Sequence, residues 1–178
     1  MKKQEDFGVD AEEAPESRFK KFFILVIGIS LVILMVSYIF ASYPLSFIIQ
    51  GQLESKPLQD DVIMLDDFSI FFKNETREKL QKIYFAEQKV EFSVCLKGEK
   101  READYFVKSL YQPVMHEQSF AQVSFEPCSE DSLILLHSHP YKSCIASQTD
   151  LDTLKKMKEK NPDVLMVVMC EPARFSVY

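Results

Sequence analysis

Residues 22–41, FFILVIGISLVILMVSYIFA, run for 20 positions without a charged side chain. At 1.5 Å per helical residue, about 20 apolar residues match the hydrocarbon thickness of a bilayer. A buried core helix is usually shorter and keeps a polar face. The run is therefore expected to be a membrane-spanning helix. Ser42 and Pro44 stand where such a helix can stop, and the apolar segment 45–49 either continues the span or lies in the interface. The 21 residues before the run carry six acids, Glu5, Asp6, Asp10, Glu12, Glu13 and Glu16. A cleaved secretory signal has instead a short basic start and small residues at its cleavage site, whereas Ile39 precedes Ala41 by two positions here. The run is thus expected to stay in place as an anchor. Arg18, Lys20 and Lys21 abut its N-terminal side, and only Lys56 lies near it on the other. The bias of basic residues toward the cytoplasm predicts a cytoplasmic N-terminus, with residues 51–178 outside.

The chain then divides into a polar tail (1–21), the span (22–41), a linker (51–61, polar and containing Pro57) and a domain (62–178). Residues 51–178 carry 16 Lys and Arg against 21 Asp and Glu, a net charge of −5. Phosphate backbones are bound by basic faces, so no nucleic-acid partner is expected. The length suffices for one hydrophobic core. Nothing in the sequence sets the oligomeric state.

Short apolar runs at 62–65 and 68–72 read as strands. Asn74 stands where it can cap a helix, with Leu80, Ile83 and Tyr84 on one face. Residues 90–97 (VEFSVCLK) are β-forming; Gly98 is expected to end that strand, and the charged 97–104 to turn. Segments 105–112 and 118–125 are strand-like. Leu133, Ile134, Leu135 and Leu136 are a fully apolar run, as in a strand buried on both faces. A helix is expected from Ser147 to the Asn161-Pro162 pair, then strands at 164–169 and 174–178. Alternating strands and helices imply a mixed α/β domain with a central sheet.

Chemistry concentrates where the apolar strand ends. His137-Ser138-His139-Pro140 is followed, after seven residues, by Ser147-Gln148-Thr149-Asp150. In an extended segment alternate side chains share a side, so His137 and His139 project together. Ser147 falls at a helix N-cap and Asp150 three residues later, the spacing of a capping box. Two imidazoles and a carboxylate form a common catalytic zinc set that leaves a fourth position for water.

This arrangement resembles the signature of the JAMM (MPN-plus) metalloproteases. Their earlier motif, Glu-x-x-Gly-x-Leu-x-Gly, is met by Glu91, Leu96 and Gly98, with Val94 in place of the first glycine. The resemblance covers residues 62–170. It implies an α/β fold of the MPN/JAMM (cytidine-deaminase-like) type, a mixed central sheet flanked by helices. It also implies one zinc per chain on His137, His139 and Asp150, with Glu91 as general base and Ser147 steadying the oxyanion. The implied reaction is hydrolysis of a peptide or isopeptide bond, at a ubiquitin-like C-terminus in the family's usual substrates. Two other readings stand beside it: a non-catalytic MPN-fold module that binds a ubiquitin-like tail, and a RadC-like protein. RadC-type motifs read His-Asn-His-Pro-Ser-Gly, whereas here Tyr141 and Lys142 follow Pro140.

Cys95, Cys128, Cys144 and Cys170 contain no Cys-x-x-Cys pair, so no second zinc site is expected. Cys95 and Cys170 lie in expected core strands and read as buried free thiols, while Cys144 falls in the loop between the ligands, where lining the cleft is one option. On an oxidising side of the membrane, three disulfide connectivities are open to the four. His116 reads as a surface histidine.

Overall fold

The computed structural model describes residues 18–42, 45–120, 122–139 and 143–178. Most of the expected polar tail, together with Pro44 and the Pro140, Tyr141 and Lys142 of the motif comparison, lies outside them. The chain divides into two units, Met1–Pro44 and Leu45–Tyr178.

In the first unit, α1 (Arg18–Ser42) is 25 residues long, has no buried residue and contains an 18-residue stretch with a mean hydropathy of 2.8. It is long and apolar enough to cross a membrane. Residues 45–49 do not extend it: they begin α2 (Leu45–Glu54), which belongs to the second unit.

The second unit contains α2, β1 (Lys56–Gln59), β2 (Val62–Met64), β3 (Ser69–Phe72), α3 (Thr76–Ala86), β4 (Ser93–Arg101) and β5 (Asp104–Tyr111). There follow β6 (Met115–Gln118), β7 (Val123–Phe125), β8 (Ser132–Ser138), α4 (Gln148–Lys158), β9 (Leu165–Glu171) and β10 (Arg174–Val177). Eight strands close into a barrel in the order β1-β10-β9-β8-β4-β5-β3-β2. Two pairings are parallel, β8 with β9 and β3 with β5; the other six are antiparallel. A parallel pair needs a long crossover, and α4 supplies the one from β8 to β9.

This corrects the expected architecture. A closed mixed barrel is not the MPN/JAMM-like sheet flanked by helices. The segment 51–61, expected as a linker, makes the difference: it ends α2 and then supplies β1, which pairs with both β10 and β2. Without it those two strands would be open edges with unpaired backbone groups.

The core follows strand alternation. Val94 and Leu96 of β4, Ile134 and Leu136 of β8, and Val167 and Met169 of β9 fill the interior with Ile63, Ile70, Phe72 and Phe175. The intervening Leu135 and Met166 point outward and pack with Leu154 of α4. A strand covered on both faces must be apolar at every position, which accounts for the run 133–136. Val94, the departure from the JAMM pattern, is thus a core residue, fully buried opposite Leu136.

Several local expectations change. Gly98 does not end β4. It sits at a bulge against β5, where any Cβ would overlap the Phe106 carbonyl oxygen. The strand runs on to Arg101, and the chain turns at Glu102, whose φ is 55°. The expected strand 118–125 is a separate hairpin of β6 and β7, its bend closed by the Ser119 amide donating to the Gln122 carbonyl at 2.8 Å. Asn74 does not cap α3. Asn74 and Glu75 both have positive φ (55° and 59°), and the Thr76 hydroxyl donates to the Lys73 carbonyl at 2.6 Å. The cysteines are not free thiols: Cys95 pairs with Cys128, and Cys144 with Cys170.

Candidate metal centre

The centre is built at the C-terminal end of β8. This strand lies between β4 and β9, with His137 opposite Ser93 on one side and Val168 on the other. Leu136 points into the barrel, so His137 and His139 share the opposite face, the one α4 covers. Beyond the strand, the His139 amide donates to the Met169 carbonyl at 3.1 Å. Between the histidines, Ser138 ties down the neighbouring segment. Its amide donates to the Phe92 carbonyl at 2.9 Å, and its hydroxyl oxygen accepts from the Phe92 amide at 3.0 Å.

The third group comes from the start of α4. Ser147 is the N-cap: its hydroxyl oxygen accepts from the Asp150 amide at 3.2 Å, and the Asp150 carboxylate accepts from the Ser147 amide at 2.7 Å. This capping box satisfies two orphan donors of the helix and also fixes the carboxylate. Asp150 Oδ2 lies 3.3 Å from His137 Nε2 and 3.4 Å from His139 Nε2.

Those distances suit a shared cation. Zinc bond lengths of about 2.0–2.1 Å in a tetrahedron put adjacent donors about 3.3–3.4 Å apart. His137 Nε2 is buried and makes no hydrogen bond of acceptable geometry, although the carboxylate is near. A buried polar atom left so is costly, and a metal at the common focus of the three groups would satisfy it. His137, His139 and Asp150 can therefore hold a metal ion.

The electrostatics prepare the donors. Burial pushes the His137 imidazole below its ordinary value, so it is neutral and ready to ligate. Burial opposes ionisation of Asp150, but the His137 and His139 rings and Ser147 outweigh it and hold the carboxyl well below the usual range. For His139, too, burial acts downward, yet Asp150, Glu91 and the nearby Ser143 backbone raise it above its ordinary value.

Glu91 precedes β4 rather than lying in it. Its backbone is pinned by the β6–β7 hairpin: its amide donates to the Ser119 carbonyl at 2.9 Å, and Gln118 Nε2 donates to its carbonyl at 3.1 Å. Phe92 enters the core. Burial raises the Glu91 carboxyl, His139 opposes the shift and Asp150 adds to it, so the side chain lies within the field of the metal-holding groups. Ser147 is exposed at the same helix start. His116 is exposed on β6. Cys144, in the loop between the ligands, is fully buried and joined to Cys170.

Sequence reasoning missed the supporting residues: the Ser143 and Met169 backbones around His139, the Cys144–Cys170 bond and the hairpin behind Glu91. Their signal depends on pairing. Only the parallel register that sets Ser138 opposite Met169 brings Cys170 level with His139. No protein-family model matches the chain, and no curated protein matches it.

Proposed function

We propose that the protein is a membrane-anchored, zinc-dependent hydrolase of peptide or isopeptide bonds, with a centre that resembles that of the JAMM metalloproteases. The likeness is one of motif and donor set, not of barrel. The convergence of His137, His139 and Asp150 on one focus, with Glu91 in their field, carries the reading. When bound there, zinc would lower the pKa of a coordinated water to about 7 and polarise a carbonyl. The Glu91 carboxylate would serve as the general base, taking a proton from the attacking water and returning it to the leaving amine; its raised pKa brings it nearer the operating pH of such a base. Ser147 uses its hydroxyl oxygen as a capping acceptor, which leaves the hydroxyl hydrogen to donate to a developing oxyanion. Protein or peptide is the expected partner; a ubiquitin-like tail is the substrate the motif implies.

We place the domain on the exported side of the membrane. Arg18, Lys20 and Lys21 favour a cytoplasmic N-terminus. Two disulfides and no free cysteine suit an oxidising compartment.

The test compares full-length wild type with Glu91→Gln in detergent. We expect about one zinc per chain in both, and chelator-sensitive cleavage of peptide and fusion substrates in wild type alone, with a loss of about 10²–10⁴-fold in the variant. A folded wild type that takes up no zinc overturns the proposal. Equal turnover by the two proteins removes Glu91 from it.

A further inference from the structure

His139 is flanked by two backbone segments. Its amide donates to the Met169 carbonyl at 3.1 Å, and the Ser143 backbone lies close enough to its ring to act on it. The residues next to these two partners are Cys170 and Cys144, and they are joined to each other, with Cα atoms 5.1 Å apart. The disulfide therefore ties together the two segments that flank the ligand, Ser143–Cys144 and Met169–Cys170. The described part of the stretch from His139 to Ser147 contains no strand or helix to hold Ser143 in place. Its other fixed point is Tyr178, whose hydroxyl accepts from the Ala146 amide at 3.0 Å and donates to the Cys144 carbonyl at 3.5 Å. The second disulfide joins neither of these two segments. Cys95 lies opposite Leu135, two residues before His137, and Cys128 lies outside the strands that carry the ligands.

We propose that the Cys144–Cys170 disulfide is a positioning element of the metal centre, so that the oxidised protein takes up metal tightly and the protein reduced at this one bond does not. The inference rests on the metal-holding reading of His137, His139 and Asp150, and on no catalysed reaction. Metal ligands depend on the groups that orient their rings, and losing one such group typically costs about 10–100-fold in affinity. Reduction by a cellular dithiol adds two electrons and two protons to the bond, giving two thiols, while the dithiol becomes a disulfide. Both cysteines are buried, and Gly51 of α2 lies against Cys144, where an added Cβ would fall 2.9 Å from the Cys144 amide nitrogen. The bond is thus shielded once formed, and metal uptake follows oxidation of the domain.

The experiment uses the full chain with Zn²⁺ or Co²⁺ alone, reading affinity by chelator competition and geometry by the cobalt absorption bands. Cys144→Ala/Cys170→Ala is compared with Cys95→Ala/Cys128→Ala, so each variant has lost one disulfide. We expect the first to bind about 10–100-fold more weakly with altered cobalt bands, and the second to stay near wild type. Should the first variant not fold, wild type supplies the reciprocal measurement. Bound zinc should slow reduction of Cys144–Cys170 by a phosphine, which is converted to its oxide with oxygen from water, and leave Cys95–Cys128 unaffected, because coupling acts both ways. Equal metal affinity in the two variants, or equal protection of both bonds by zinc, overturns the positioning role and leaves the metal centre standing. A wild type that binds neither metal overturns both.

Discussion

A proton competes with a metal for His139. Burial lowers the imidazole, but Asp150, Glu91 and the Ser143 backbone raise it above its ordinary value of 6.5. A raised folded pKa stabilises the metal-free protein fully below the unfolded value. That contribution disappears as pH rises through the folded value. Metal binding needs the neutral ring, so the sign for affinity is opposite. Chelator-competition titrations from about pH 6 to 8 should show zinc affinity rising by up to tenfold per pH unit until His139 has lost its proton. His137 adds no step there, since burial already keeps it neutral. An affinity flat across this range would mean that the Asp150–His139 contact does not retain a proton.

At the scale of elements, the start of α4 performs two tasks. Its capping box ends the helix's unsatisfied donors and aims Asp150 at the histidines of β8. The two halves of the box are separable. Ser147→Ala removes the acceptor for the Asp150 amide but keeps the backbone donor that holds the carboxylate. We expect a loss of about 1 kcal/mol in urea denaturation, the usual cost of an N-cap. Zinc affinity should change little. Hydrolysis should fall by about 10²–10³-fold, as when one oxyanion donor is removed. A parallel fall in zinc affinity would instead assign Ser147 to the support of Asp150. The bulge at Gly98 shows a similar economy: a residue of the Glu91 motif is required by strand packing, since β5 leaves no room for a side chain.

For the whole molecule, closure of the barrel and closure of the disulfides belong to the same domain, Leu45–Tyr178. Cytoplasmic thiol pools would keep its cysteines reduced. We therefore expect a reporter that folds only on the exported side to be active when fused after Tyr178. Protein taken from membranes should show no titratable thiol before reduction and four after it. An active cytoplasmic reporter, with four free thiols, would reverse the orientation drawn from Arg18, Lys20 and Lys21. Such a domain would work on membrane-proximal cytoplasmic proteins instead.

The features legible in the amino-acid order alone are those set by short-range geometry. Alternation along a strand puts His137 and His139 on one side, and a helix start puts Asp150 three residues from its cap. An unbroken apolar run makes α1, and burial on both faces makes β8 uniformly apolar. These need few residues and no knowledge of distant partners. Tertiary structure alone decided that residues 56–59 are a barrel strand rather than a linker, because their pairing with β10 spans most of the domain. It also decided which cysteines meet: Cys144 and Cys170 are 26 residues apart, and only the parallel register of β8 and β9 brings them together. A local pattern can specify what a segment becomes. Whether a sheet stays open or closes depends on which edges find each other, and that depends on the free energy of the whole chain.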